Sequence, residues 1–389
     1  MSALLSGTDV SFAPPSIGDA EISEVVSTLQ SGWLSTGPRV HQFERAFAEY
    51  IGVPHAVAVN SGTAALHLAL LATGVGPGDE VVTTPLTFCA TANVVIHAGA
   101  TPRFADIDPA TWNLSADAAA AAVTRNTRAV IPVHYAGRAV DVAAFRRLSS
   151  RAGLVLIEDA AHAVEAVSAG AKIGATGDVT CFSFYATKNL TTGEGGMFTT
   201  SSDEWASYAR TASLHGMSRD AWARYGTSGS PHYDVVMPGF KYNMMDVQAA
   251  IGLHQLDGLR ARLCRRETIW QQYDRAFEGL PVTRPAPVLD GDVHARHLYT
   301  ILVGPDSGWT RDALSIALRA EGIATSVHFR ALHLHPYYAN RFGLTRGMFP
   351  VAEMVSDQTL SLPLSGGMTD AQAGCVISAV RRLLNRGRA

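Results

Sequence analysis

An α/β fold, a mostly parallel sheet followed by a smaller α+β unit, is predicted for this chain of 389 residues by three observations. Short β-branched runs alternate with Ala- and Leu-rich helical stretches, the order expected of parallel strands joined by crossover helices. One apolar run, Leu154 to Glu158, is closed by Asp159, which puts a carboxylate at the carboxyl end of a predicted strand. Beyond Pro281 the pattern changes to strand, helix, strand.

Met1 to Ser16 lacks a basic leader and a long apolar core, and no run approaches the roughly 18 apolar residues of a membrane span. A cytoplasmic protein with no membrane partner is expected. Strands are predicted at His55 to Val59, Glu80 to Thr84, Thr101 to Ala105, Ala129 to Val133 and Leu154 to Glu158. Ser115 caps a predicted helix over Ala116 to Val123. Gly216 to Gly239, rich in Gly, Ser, Pro and aromatics, reads as a long functional loop, and Asn243 to Gly279 as one long helical segment. A Pro/Gly-rich stretch, Pro281 to Asp292, precedes a strand (Leu298 to Val303), a helix (Arg311 to Glu321) and a strand (Gly322 to Val327). The domain boundary is expected between residues 255 and 280, giving a large domain over 1–255 and a small one over 256–389.

Composition narrows the function classes. With 47% hydrophobic and 17% charged residues the chain is that of a globular protein with a large core, and its low charge hints at a buried subunit interface. A formal net charge of -3 offers no global attraction to nucleic acid or to an anionic membrane, so an anionic ligand must be held by local groups. Cys89, Cys181, Cys264 and Cys375 form no C-x-x-C pair, and reduced, mostly buried thiols are expected. His328, His333 and His335 match no zinc spacing and have no thiol or carboxylate nearby to complete a site, so no metal is expected. Gly74 to Asp79 lies between a helix and a strand, the reverse of a dinucleotide loop, and reads as a turn.

The chemistry lies in three places. Asn60-Ser61-Gly62-Thr63-Ala64-Ala65 follows a strand and opens a helix, which makes it either a phosphate site at a helix N-terminus or a plain Ser-capped turn. Ser183 could bring a second hydroxyl to the same phosphate. Asp159 is either a helix N-cap or a buried carboxylate in need of a cation, at the strand end where open α/β sheets bind ligands. His162, three residues on, stacks or hydrogen-bonds there, or is a surface imidazole. Lys188 follows Phe182-Ser183-Phe184-Tyr185, a setting that desolvates an amine and favours the neutral form that makes Schiff bases. A Schiff-base amine and a carboxylate able to pair with a pyridine nitrogen together point to pyridoxal 5'-phosphate (PLP).

These residues sit in longer motifs. Ser31-Gly32-Trp33-Leu34-Ser35-Thr36-Gly37-Pro38, the Asn60 motif, Pro132-Val133-His134-Tyr135-Ala136-Gly137, Glu158-Asp159-Ala160-Ala161-His162-Ala163, Ser183-Phe184-Tyr185-Ala186-Thr187-Lys188-Asn189 and Gly239 to Gly252 occur in that order. In them the chain resembles the DegT/DnrJ/EryC1/StrS family of PLP-dependent sugar aminotransferases over nearly its whole length. The resemblance implies the aspartate aminotransferase fold, PLP transferase fold type I. It makes Lys188 the Schiff-base lysine and catalytic proton carrier, Asp159 the partner of the pyridine nitrogen, and Gly62, Thr63 and Ser183 the phosphate ligands. Phe88 matches the position that stacks on the cofactor ring, and Asn243 the residue that reaches a neighbour's phosphate, which implies a homodimer with shared sites.

What the resemblance implies for activity is transfer of an amino group from L-glutamate, leaving 2-oxoglutarate, to a nucleotide-linked ketosugar. His162 resembles members that aminate C4, where many C3-aminating members have Gln. The His134 and Thr325 to Arg330 segments look like enzymes making UDP-4-amino-4-deoxy-L-arabinose or dTDP-4-amino-4,6-dideoxyhexoses, so a UDP- or dTDP-4-ketosugar is expected. Trp33, His134, Tyr135, His328 and Phe329 are expected near the sugar, and Lys241 or Arg219 near the diphosphate. The alternatives are a C3 aminotransferase, a PLP-dependent sugar dehydratase, which has His in place of the lysine, and a non-catalytic PLP-binding regulator. The Ala- and Arg-rich composition suggests a high-GC bacterium and antibiotic or glycan biosynthesis.

Overall fold

The computed structural model describes residues 9–217 and 233–386. Its main sheet is built from β1 (His55–Val59), β2 (Glu80–Thr83), β3 (Thr101–Phe104), β4 (Thr127–Ile131), β5 (Val155–Asp159), β8 (Val179–Ser183) and β9 (Gly196–Thr200), with a small hairpin, β6 (Val167–Ser168) and β7 (Ala171–Lys172), between β5 and β8. The order across the sheet is β1-β9-β8-β5-β4-β2-β3. From β3 to β8 neighbours run parallel, whereas β9 runs antiparallel to both β8 and β1.

Side chains alternate across this sheet. Ala56, Val82, Val130, Leu156 and Phe182 face one layer of helices, α2 (Pro38–Ile51), α5 (Ala116–Ala122), α6 (Val142–Ala152) and α8 (Asp246–Asp257). Val57, Val81, Ala129, Ile157 and Cys181 face the other, α3 (Gly62–Ala72), α4 (Ala90–His97) and α7 (Asp203–Ser213). Both faces are covered, which is why the strands are apolar throughout. Helix α1 (Asp19–Ser31) lies against α8.

A second core gathers α9 (Leu259–Ala276), α10 (Arg311–Ala320), α13 (Asp370–Arg386) and an antiparallel pair, β10 (Tyr299–Leu302) and β11 (Thr359–Leu362), around Trp270, Tyr273, Tyr299 and Leu360. Short helices α11 (Pro336–Phe342) and α12 (Pro350–Gln358) pack near the junction with the large sheet.

Three sequence expectations are corrected, and one strand is added. The helical segment from Asn243 begins only at Asp246 and is split at Gly258 into α8 and α9, because Asn243 to Met245 stay extended beside the end of β1. The strand expected at Gly322 to Val327 is reduced to two isolated bridges, Ile323 with Val10 and Ser326 with Ser361. Beyond the turn that follows Lys188 the chain returns to the sheet as β9, a strand not expected from the sequence because its start is Gly-rich. Cys264 and Cys375 are exposed rather than buried, and all four cysteines are free. The helix after Ser115 forms as expected, with Ser115 Oγ accepting from the Ala118 N–H. No helix among the described residues is long and apolar enough to cross a membrane.

Candidate active site

The first wall of the site is the N-terminus of α3. Ser61 Oγ accepts from the Ala64 N–H, and the Ser61 carbonyl accepts from Ala65. Gly62 and Thr63 are thereby left as first-turn donors at the positive end of the helix. Close approach here demands glycine twice. A Cβ on Gly62 would lie 2.9 Å from Ser183 Cβ, and one on Gly196 would lie 2.5 Å from the Ser61 carbonyl carbon. The turn, Ser183 and the start of β9 therefore form one cradle, and Thr63 is exposed at its lip.

Asp159 ends β5 as predicted, and no helix follows it. Its Oδ2 accepts the Thr91 hydroxyl at 2.8 Å and its Oδ1 the Ala161 N–H at 3.2 Å. Burial raises its pKa, and Thr91, Ala161 and the charges of Lys188 and His134 only partly offset this. A cation beside Asp159 would relieve that penalty. Lys188, half-buried after β8, has its pKa lowered by burial to about 8 while Asp159 opposes the shift.

An aromatic group from separate segments completes the space. Phe329 stacks on His162 with centroids 6.0 Å apart and an interplanar angle of 18°, and its ring also lies 6.2 Å from Phe88. Phe88 itself is 60% exposed, an unusual state for this residue and one a planar ligand would end. His162 is buried, with no partner for Nδ1 among the described residues, and its ring lies 4.3 Å from that of His297. His328 Nδ1 lies 2.9 Å from Ser361 Oγ. Burial and the lysine charge lower His328 to about 3 and His162 well below the usual imidazole value.

Two expected sugar contacts are corrected. His134 is fully buried, with Nδ1 accepting from the Val140 N–H and Nε2 lying 3.2 Å from Glu158 Oε1. Tyr135 is equally buried and donates its hydroxyl to the His328 carbonyl. The cause is a tight turn, Ala136 at φ 57 and Gly137 at φ 95, which folds this segment beneath His162 instead of into the open space. A Cβ on Gly137 would sit 2.9 Å from the His162 carbonyl oxygen. His134 and Tyr135 thus support the site from below.

Three further residues make contacts around Thr36 and Asn60. Asn243 Nδ2 donates to Thr36 Oγ1 at 2.7 Å, and its Oδ1 is buried without a partner among the described residues. The Trp33 indole donates to the Thr36 carbonyl, so Trp33 belongs with Asn243. Lys241 is exposed, and its carbonyl accepts from Asn60 Nδ2 just before the α3 turn. Arg219 lies outside the described residues. Among the described residues no group of His, Cys, Asp and Glu could hold a metal ion.

Residues 15–381 match the DegT/DnrJ/EryC1/StrS aminotransferase family. The chain belongs to that family. It is 52% identical over 375 residues to the spore coat polysaccharide biosynthesis protein SpsC of Bacillus subtilis (strain 168), covering 96% of each chain. It is also similar to the PLP form of the putative sugar aminotransferase Spr1654 from Streptococcus pneumoniae, with a TM-score of 0.91, 33% identity and 97% and 99% of the two chains covered. Helicobacter pylori PseC, an aminotransferase involved in the biosynthesis of pseudoaminic acid, matches with a TM-score of 0.90 and 28% identity over 97% of this chain and 100% of its own.

Like its family, this chain is a transaminase that uses pyridoxal phosphate, and its fold is the aminotransferase fold. Its residues fit that cofactor: a donor-rich cradle for a phosphate, a buried carboxylate short of a cation, and an exposed phenyl face. Sequence reasoning missed Thr91, Asn189, His297 and Ser361. Only Asn189 lies inside a recognisable motif, and none of the others carries a local signal.

Proposed function

We propose that this enzyme transfers an amino group from L-glutamate to C4 of a dTDP- or UDP-linked 4-ketosugar. The observation that carries this reading is the seating of His162: a buried imidazole stacked on Phe329, close enough to Lys188 for the lysine charge to lower its pKa, with Asp159 acting in turn on Lys188. Gly62, Thr63 and Ser183 would hold the cofactor phosphate, Phe88 would cover the ring, and Asp159 would pair with its nitrogen. When bound, pyridoxal phosphate supplies an electron sink for the carbon bearing the transferred nitrogen.

Lys188 would hold the cofactor through its Nζ, and its amine would be the group that carries a proton to and from the reacting carbon. A lysine lowered to about 8 suits that work, since both its protonated and free forms are populated near neutral pH. His328 and Phe329 face the acceptor sugar, and Lys241 meets its diphosphate. The lysine itself disfavours a dehydratase, which has His at this place.

A second copy of the chain is part of this reading. Ile22, Val26 and Leu29, spaced along one face of α1, are each about half exposed, and Asn243 Nδ2 gives one of its two protons to Thr36 Oγ1, which leaves the other to donate to a phosphate oxygen. A homodimer acting in the cytoplasm would cover that face and bring Asn243 to the neighbouring phosphate. Light scattering on the purified enzyme tests the assembly.

Turnover of a panel of dTDP- and UDP-4-ketosugars, with NMR of each product to place the new amine, tests the substrate. An amine at C3 overturns the C4 assignment.

A further inference from the structure

The histidines of this chain have two kinds of partner. Several away from the lysine meet carboxylates, His134 beside Glu158, His333 beside Glu353 and His254 beside Glu24, while His67 meets the Tyr242 hydroxyl and His294 the Arg296 N–H. The three that surround Lys188 meet no carboxylate among the described residues. His297 is bonded to the carboxamide of Asn189, His328 to the hydroxyl of Ser361, and His162 packs against the rings of His297, His328 and Phe329, with no partner for its Nδ1 among the described residues.

Asn189 has no freedom in this arrangement. Its Nδ2 donates at 2.8 Å to both Glu165 Oε2 and the Ala295 carbonyl, so both amide protons are committed. Its Oδ1, 3.0 Å from His297 Nδ1, must therefore accept. The proton of His297 is fixed on Nδ1, and Nε2 is left as a lone pair. Glu165 could have charged the imidazole directly, but it is drawn away to Arg266, a buried ion pair with both side chains 2% exposed. Asn189 stands between that pair and His297, and it passes on geometry without passing on charge.

We propose that Asn189 and Ser361 hold His297 and His328 as uncharged imidazoles beside Lys188, forming with His162 a neutral hydrogen-bonding wall that leaves Asp159 as the one fixed charge governing the lysine. An amide and a hydroxyl bring no charge to stabilise an imidazolium, whereas a carboxylate in either place would favour the cation strongly. Burial and the lysine charge, with His328, Arg266 and His294 adding to them at His297, act in the same direction. A charged imidazole here would repel the ammonium form of Lys188 and compete with it as a proton donor. Asn189 is thus a positioning residue that acts through His297.

This inference rests on the reading of Lys188 as the working amine, and the two are tested separately. Histidine is labelled with nitrogen-15, and the ring signals are followed from about pH 8 to about pH 5, the range in which an ordinary imidazole titrates. The measurement is made on the cofactor-stripped enzyme and on the holoenzyme. The native His297 signal should show a protonated Nδ1 and an unprotonated Nε2, unchanged across the range. Asn189→Asp should bring His297 into titration within it, and the visible band of the holoenzyme should gain a transition at the same pH. Ser361→Asp, which puts a carboxylate where the neutral hydroxyl stands, should bring His328 into titration in the same way. A native His297 that protonates in this range, or an Asn189→Asp enzyme whose His297 stays flat, overturns the proposal. The native titration decides the matter even if the variant fails to fold. A failure of the Lys188 reading would show instead as no visible band with the cofactor while the histidine signals kept the expected pattern.

Discussion

Thr91 donates its hydroxyl to Asp159 Oδ2 at 2.8 Å, and because that uses its only proton, Thr87 must be the donor in the 2.9 Å contact between the two threonine hydroxyls. A directed pair of hydroxyls from the start of α4 therefore fixes one carboxylate oxygen and leaves the other with a single N–H bond. The same turn carries Phe88. One short segment thus presents both an exposed phenyl face and the clamp on a buried carboxylate, the two features that the proposed cofactor site would use.

Replacing Thr91 by Val removes a hydrogen bond to a charged group, worth about 1.5–3 kcal/mol. Cofactor affinity should fall roughly 10- to 100-fold, with Thr91→Ser restoring most of it. Equilibrium titration of the stripped enzyme with pyridoxal phosphate, followed by absorbance, measures both. Equal affinity for Val and Ser variants would show that the hydroxyl is not what matters.

Lys188→Ala should abolish the visible band and lower the glutamate half-reaction by at least roughly 10²–10⁴-fold, the usual contribution of a positioned acid-base group. In the native stripped enzyme the amine is the reacting form. Its rate of combination with the cofactor should therefore fall about tenfold per unit as pH drops below about 8, and level off above it. Stopped-flow absorbance across that range gives the midpoint. A midpoint at the ordinary lysine value would mean that burial does not act on this amine.

Gly196→Ala pushes a methyl to 2.5 Å from the Ser61 backbone, where no flexible side chain can yield. A loss of about 1–3 kcal/mol is expected from overpacking. It should lower the urea midpoint and weaken cofactor binding together. Normal stability would indicate that β9 can shift away from α3.

Arg266→Met should cost about 3–5 kcal/mol by leaving Glu165 buried and uncompensated. Adding Glu165→Gln should recover part of that loss, which a urea unfolding series on the two single variants and the double variant would detect. Strict additivity would argue that the two side chains do not interact.

Much of the site was legible because its residues sit at strand ends and helix starts, where chain order and location coincide. Gly62, Asp159, Ser183 and Lys188 are of this kind. His134 and Tyr135 misled for the same reason: they too follow a strand end, but two residues with positive φ turn them under the sheet. Thr91, His297 and Ser361 were invisible because each owes its position to a partner far away in sequence. Nothing adjacent to His297 tells that Asn189 will meet it. The strand β9 was hidden by glycine, which lowers strand propensity for the sake of the contact that Gly196 makes with Ser61.

The pairing of β8 with β9 runs without interruption from Val179 opposite Thr200 to Ser183 opposite Gly196. Lys188 therefore rides on an excursion whose two feet are planted side by side. The amine can leave and return while its stem stays still, much as a drawer moves in a fixed frame. Phe329 comes from outside that frame, so the ring that meets His162 and Phe88 can be exchanged without disturbing the paired strands that carry the lysine.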